Sequence, residues 1–249
     1  MTAQVLRARS PLRIECDLVG GQARSTTMAR GHFFAPRPLP GAGHHLRIAL
    51  VGTRMSLLGG DAIELQVRVG AGVTLEIIEP AGMVAYNARG QASSWHAHVS
   101  VEAGACLIWH GCPFVAAQGS NASRLTELSL TADARALLRE TLVLGRSGEA
   151  DVQVRNRLQV CLDDREILVD DLTISSHNRL LPGIVGSAKV VSSVLAAGWR
   201  PQGDAGDPRR FDLEQPAAVF RALGQAAHEA DALTAPQYAA WRSELPTLR

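Results

Sequence analysis

The sequence predicts a mostly β protein built from stacked hairpins in two layers, with one or two helices at its C-terminal end. Three observations carry this. A nine-residue segment recurs as Val67-Arg68-Val69-Gly70-Ala71-Gly72-Val73-Thr74-Leu75, Val99-Ser100-Val101-Glu102-Ala103-Gly104-Ala105-Cys106-Leu107 and Leu128-Ser129-Leu130-Thr131-Ala132-Asp133-Ala134-Arg135-Ala136. A weaker fourth copy starts at Val160-Cys161-Leu162 and returns through Ile167-Leu168-Val169. Each copy alternates apolar and polar, breaks at small residues with Gly or Asp, and resumes apolar, which reads as strand, tight turn, strand. Second, the copies start at 67, 99, 128 and 160, a step of about thirty residues that belongs to stacked units. Third, apolar residues change to helical spacing only in the tail.

The elements follow in order. Val5 to Phe34 mixes short alternating runs, such as Leu12-Arg13-Ile14-Glu15-Cys16-Asp17-Leu18, with Gly20-Gly21, and predicts a hairpin that opens the sheet. Pro36, Pro38, Pro40, Gly41 and Gly43 predict a loop, neither helix nor central strand. Leu46 to Val51 resumes a strand, and Gly59-Gly60-Asp61 is a turn, with no following helix to make it a phosphate loop. The repeats run to about Asp171, and Ser175 to Pro182 is a loop. Leu180 to Trp199 is the most apolar stretch. Pro182, Gly183, Gly186, Lys189 and Gly198 break it too often for a spanning helix, so a buried strand pair is expected. A second loop runs from Pro201 to Pro208. Pro216 suits a first helical turn, and Val219, Phe220, Leu223, Ala226 and Ala227 then share a helical face. Thr234-Ala235-Pro236 precedes a second short helix with Tyr238 and Trp241. The chain divides into a β-rich body, 1–200, and a helical tail, 201–249.

Composition excludes several classes. The 249 residues suffice for a full core, and 46% apolar with 20% charged residues describes a folded chain. A net charge of +1 gives no field to attract nucleic acid or an anionic membrane. Lys189 is the single lysine among 25 basic residues, so chemistry that needs several lysines is out. Cys16, Cys106, Cys112 and Cys161 show no CxxC spacing, and Met1-Thr2-Ala3-Gln4 opens no signal peptide; reduced thiols in a cytoplasmic protein are expected. GxxxxGK[ST], GxSxG and HExxH are all missing. Asp163-Asp164 and Asp170-Asp171 are adjacent pairs on or beside a strand, so each pair points to opposite faces and makes no dyad.

The repeated hairpin predicts contacts. A three-residue turn at Ala103-Gly104-Ala105 sets Val101 against Leu107 and Val99 against Trp109, keeping one face apolar. On the polar face it sets His98 against His110 and His96 against Cys112. Imidazoles and a thiol so placed make a candidate site for a divalent transition metal. The competing reading is a half-exposed polar surface. His44-His45 is a weaker candidate of the same kind.

At the first copy the chain resembles a known family. Leu57-Leu58-Gly59-Gly60-Asp61, an alternating strand, Gly70-Ala71-Gly72 and Ile78-Glu79-Pro80-Ala81-Gly82 are similar, in this order, to the urease accessory protein family UreD (UreH). Leu107-Ile108-Trp109 with Pro113-Phe114-Val115, and Leu144-Gly145-Arg146 with Gly148-Glu149, continue the match over roughly residues 10 to 200. The chain departs from the family pattern at Ile78-Glu79, Asn87, Ile108 and His110-Gly111-Cys112, as a divergent member would.

The resemblance implies an all-β, solenoid-like protein with terminal helices and no catalysis. It implies binding to apo-urease together with a UreF-like accessory protein and a UreG-like GTPase, with no tightly bound cofactor and only transient nickel. By motif, Asp61, Arg146 and Glu149 are the expected nickel-path or partner-contact residues; the competing reading is that Asp61 caps a turn and Arg146 locks another by pairing with Glu149. An alternative function also stands: a metal-dependent β-solenoid enzyme using His96, His98, His110 and Cys112.

Overall fold

The computed structural model describes residues 10–203 and 205–245. Val5, where the opening alternation begins, the Met1 to Gln4 segment and the last four residues lie outside the described residues.

Strands β1 (Leu12–Val19) and β2 (Gln22–Ala29) form the expected opening hairpin, and β3 (Phe34–Ala42) and β4 (His45–Gly52) form a second. The repeats follow as β5 (Ser56–Leu57), β6 (Ala62–Val69), β7 (Thr74–Ile78) and β8 (Met83–Ala85), then β9 (Ser93–Val101), β10 (Cys106–His110) and β11 (Phe114–Ala116), then β12 (Asn121–Leu130) and β13 (Arg135–Leu144). The chain ends with β14 (Gln153–Leu162), β15 (Arg165–Ile174), β16 (Val190–Ala197), β17 (Arg210–Asp212), β18 (Ala217–Gly224) and helix α1 (Ala227–Ser243).

These strands make two stacked sheets. The first has the order β15-β14-β12-β9-β6-β1-β2; the second runs β17-β18-β16-β13-β10-β7-β4-β3, with β5, β8 and β11 as a short parallel ribbon joined to β13. In the middle every pair is parallel: Val67 stands beside Val99, Val99 beside Leu128, and Leu128 beside Val160. The four copy starts are hydrogen-bonded neighbours, and the stack is a two-layer β-solenoid.

The first three copies are nevertheless not hairpins. β9 pairs with β6 and β12, while β10 pairs with β7 and β13 in the other sheet. The turn is an arc that carries the chain across the core. The turns share one backbone feature. Gly72, Gly104 and Asp133 hold equivalent places with φ of +70°, +65° and +59°, one left-handed residue per turn. Two of the hairpins have two in succession, Gly20 and Gly21 or Asp163 and Asp164, while the β3–β4 turn has Gly43 alone. Val99, Val101, Leu107 and Trp109 do share one core, but across the gap between the sheets. Only the fourth copy, β14 and β15, is the antiparallel hairpin expected of all four.

The two arms of a rung also differ in pattern. β9 alternates buried and exposed, with one face in solvent. β10 is buried on both faces from Cys106 to Trp109. Its second face, with Leu137, Val194, Ala196 and Phe220, lies under α1, which contributes Trp241 to a separate core.

Three further expectations are corrected. The proline-rich segment is β3, a strand at the edge of its sheet. Prolines at alternate positions set their missing amides along one side of the strand, and an edge strand has one side without a partner strand. Residues 180–199 hold one strand, β16, after a turn-rich segment that exposes Leu180 and Leu181. The run after Pro216 is β18, not helix: Ala217, Ala218, Val219, Phe220 and Ala222 are all buried, and a short apolar run fits a covered strand as well as a helix. The single helix among the described residues begins at Ala227 and continues through Pro236, which forgoes one helical hydrogen bond. Glu229 secures its first turn by accepting from the Gln225 and Ala226 amides.

Candidate functional site

The outer face of the first sheet brings two of the four expected metal ligands together and adds a third. His96 and His98 are two apart on β9 and so share its solvent face. On β12, Glu127 stands beside His98 and Leu125 beside His96. His96 Nε2–H donates to Glu127 Oε2 at 2.8 Å, His98 Nδ1 lies 2.7 Å from the same oxygen, and the rings lie 3.7 Å apart centre to centre. The three side chains are 31%, 49% and 38% exposed. A groove of about 440 Å³ runs alongside, lined by Gln66, Arg68, Ser100, Ser129, Gln159 and Cys161 among others.

His110 and Cys112 are elsewhere, so the expected quartet does not form. The arc puts His110 at the end of β10 in the second sheet and Cys112 in the loop that follows, away from His96 and His98. His110 Nε2 lies 3.0 Å from Arg139 Nη1 and its ring stacks on Tyr238. Burial, and then the Arg139 charge, hold its imidazole below the usual range. The Cys112 thiol donates to the Glu79 carbonyl at 2.9 Å, and burial followed by the Glu79 charge pushes it up. His44 is exposed and His45 buried, with His45 Nε2 3.2 Å from Glu76, so this pair does not converge either.

Glu79, one of the departures from the family pattern, has a definite structural role. It lies in the loop between β7 and β8, half-buried, and its carboxylate accepts from Trp109 Nε1 at 2.8 Å and from the Cys112 amide at 3.0 Å. It therefore holds the next rung where β10 breaks before β11. Burial pushes its carboxyl up.

Asp61, Arg146 and Glu149 lie on one corner of the stack, in turns on different rungs. The Gly60 amide bonds to Ala92, the Ala88 amide to Gly119, and the Gly119 amide to Asp151, so these corner loops stack as the strands do. With strands about 4.8 Å apart, three steps separate Asp61 from Glu149 by about 14 Å. Asp61 Oδ2 accepts from the Leu58 amide at 2.9 Å. Glu149 accepts from Arg146 Nε and Nη2 at 2.9 and 2.7 Å and from the Arg146 and Gln118 amides. The Arg146 contacts hold its carboxyl down at about 2. Each motif thus locks its own turn. Beside them Tyr86, Asn87 and Arg89 border an open hollow of about 620 Å³, and Arg146 lies over the Tyr86 ring.

One polar feature escaped the sequence. Toward the β14–β15 end, the gap between the sheets contains Arg124 paired with Glu140 at 2.6 Å and Arg221 paired with Asp170. Asn156 accepts from Arg124, and Ser193 accepts from Arg221 at 3.0 Å. These side chains line a slot of about 30 Å³, room for a water or two. The signal was available: Arg124 has the inward parity of Ala122, Thr126 and Leu128. Asp171, the outward neighbour of Asp170, pairs instead with Arg155 and Arg157.

Comparison with known proteins places these observations in a family. A family model described as UreD urease accessory protein matches residues 8–247. "Urease accessory protein UreD 1" of Streptomyces griseus is 44% identical over 225 residues, 90% of this chain and 88% of that protein. "Urease accessory protein UreD" of a Parafrankia strain is 32% identical over 219 residues, 78% and 72% of the two chains. The Streptomyces avermitilis protein of the same name is 29% identical over 232 residues, 91% and 90%.

Proposed function

Since this chain belongs to the UreD urease accessory protein family, whose members are non-catalytic urease maturation factors, we propose that it is a scaffold. On it, apo-urease, a UreF-like protein and a UreG-like GTPase assemble while nickel passes to the urease active site. The observation that carries this is the family match, which extends over both sheets and α1.

The geometry supports the transient handling of nickel. Glu140 and Asp170 in the slot between the sheets are each neutralised by an arginine. Carboxylates so paired offer a passing cation weak contacts in place of a trap. Asp61, Arg146 and Glu149 are the corner residues we assign to the path or to partner contact; their shared corner and the open hollow beside it support that assignment. Among the described residues no helix is long and apolar enough to cross a membrane. Cys16, Cys106, Cys112 and Cys161 are free thiols, which fits a cytoplasmic site of action. The alternative metal-dependent enzyme loses its site, because His110 and Cys112 lie away from His96 and His98.

The test is co-expression with urease and the partner proteins. The full chain is expected to co-purify with the UreF-like protein and with urease, and Asp61→Ala or Glu149→Ala to lower urease activation while preserving the complex. Urease activated equally well without this chain would overturn the scaffold reading.

A further inference from the structure

We propose that His96, His98 and Glu127 form a binding site for a divalent transition metal on the open face of the first sheet. Three facts converge. Two imidazole nitrogens and a carboxylate oxygen lie within 4.8 Å of one another. Donors bound to one ion at about 2.1 Å in a tetrahedral site sit about 3.4 Å apart. Gathering them needs about an ångström or less from each half-exposed side chain. Second, both ring nitrogens already face one carboxylate oxygen, Glu127 Oε2, at 2.8 and 2.7 Å, so the three donor atoms are gathered at one point of the sheet. Third, α1 covers the second sheet and not this one. Glu64, beside His96 on β6, adds a further carboxylate to the same face.

The donor set selects the metal class. Two imidazoles and a carboxylate suit nickel, zinc or copper over magnesium or calcium. Three protein ligands leave positions open to water or to a ligand from another molecule, so the ion is exchangeable. This site is separate from the corner residues and the slot between the sheets. It keeps His96 and His98 of the expected quartet and has Glu127 in place of His110 and Cys112.

The experiment is calorimetric titration of the full chain with Ni²⁺, carried out on its complex with the UreF-like protein if that is the form that purifies. One equivalent is expected to bind in a step that His96→Ala or His98→Ala weakens by at least tenfold. Loss of a mere supporting hydrogen bond in metal sites already costs about 10–100-fold. His110→Ala and Cys112→Ala should leave that step unchanged. Bound Cu²⁺ should show two coupled nitrogens by electron paramagnetic resonance, reduced to one in either histidine variant. Unaltered Ni²⁺ binding in the double variant His96→Ala/His98→Ala, with circular dichroism as in the parent, overturns the site. Because the readout is metal binding and not urease activation, its failure leaves the scaffold reading intact.

Discussion

Replacing Trp241 with alanine asks what holds α1 on the stack. Trp241 is 0% exposed and packs with Ile108, Leu137, Val194 and Phe220 in a core apart from the one between the sheets. Full burial of an aromatic side chain of this size removes roughly 150–250 Å² from water. At about 25 cal/mol per Å², that amounts to about 4–6 kcal/mol, and Trp→Ala changes in cores cost about 3–5 kcal/mol. The other ties are weaker. Arg139 donates to Asp231, which is 58% exposed, a pairing that contributes about 1 kcal/mol or less. A buried hydroxyl chain, Thr141 to Ser192 to Thr234, contributes about 1 kcal/mol per bond. Losing Trp241 therefore removes the largest share of the docking energy, and α1 should open before the stack does. Hydrogen exchange reads this directly. At about 1.4 kcal/mol per tenfold, a loss near 3 kcal/mol raises exchange across 227–243 roughly a hundredfold. The amides of β6, β9 and β12 should change little, because their core is separate. Equal loss of protection in α1 and in those strands, or no change in α1, would refute the division into two cores.

Other expectations follow from single positions. Gly104→Ala meets no atom within 4 Å but keeps φ at +65°, so it should cost about 1–2 kcal/mol by denaturant titration. Gly198→Ala, whose new methyl would collide with the Ala134 carbonyl, should cost clearly more. Glu149 is held at about 2 against an ordinary 4.5, so the stability it lends is complete above pH 4.5 and lost as pH falls toward 2. Arg146→Gln should shrink that acid-dependent part of the unfolding curve. In the slot, Glu140→Leu alone strands Arg124 and should destabilise by about 3–5 kcal/mol; Arg124→Met with Glu140→Leu should recover most of it in thermal melts.

The stacking was legible because the repeat is in register: the copy starts themselves are hydrogen-bonded neighbours. What could not be read from alternation alone was the partner of each strand. A hairpin and an arc bury the same residues, and a single left-handed residue serves either, as Gly104 does in an arc and Gly43 does between β3 and β4. The same ambiguity governed the site. His96 and His98 follow from strand parity, but Glu127 enters only once copies are laid side by side, where it occupies the place of His98 one rung on. β18 carries no period to read, because four buried residues in succession, Ala217 to Phe220, fit a strand and a helix alike.

The arcs also set the order in which this chain can fold. A hairpin closes over two residues, as at Gly20-Gly21. The two strands of a rung do not pair with each other and must wait for a neighbour some thirty residues along, as Val67 waits for Val99. Relative to a four-residue closure, that is about three doublings of loop length, or about 2 kcal/mol of entropy per rung before any bond forms. Topologies of this kind fold slowly. Until the last rung arrives, the growing stack presents an unpaired parallel edge, the kind of surface on which other chains add. A binding partner that meets the chain early would act on that growing front as much as on the finished molecule.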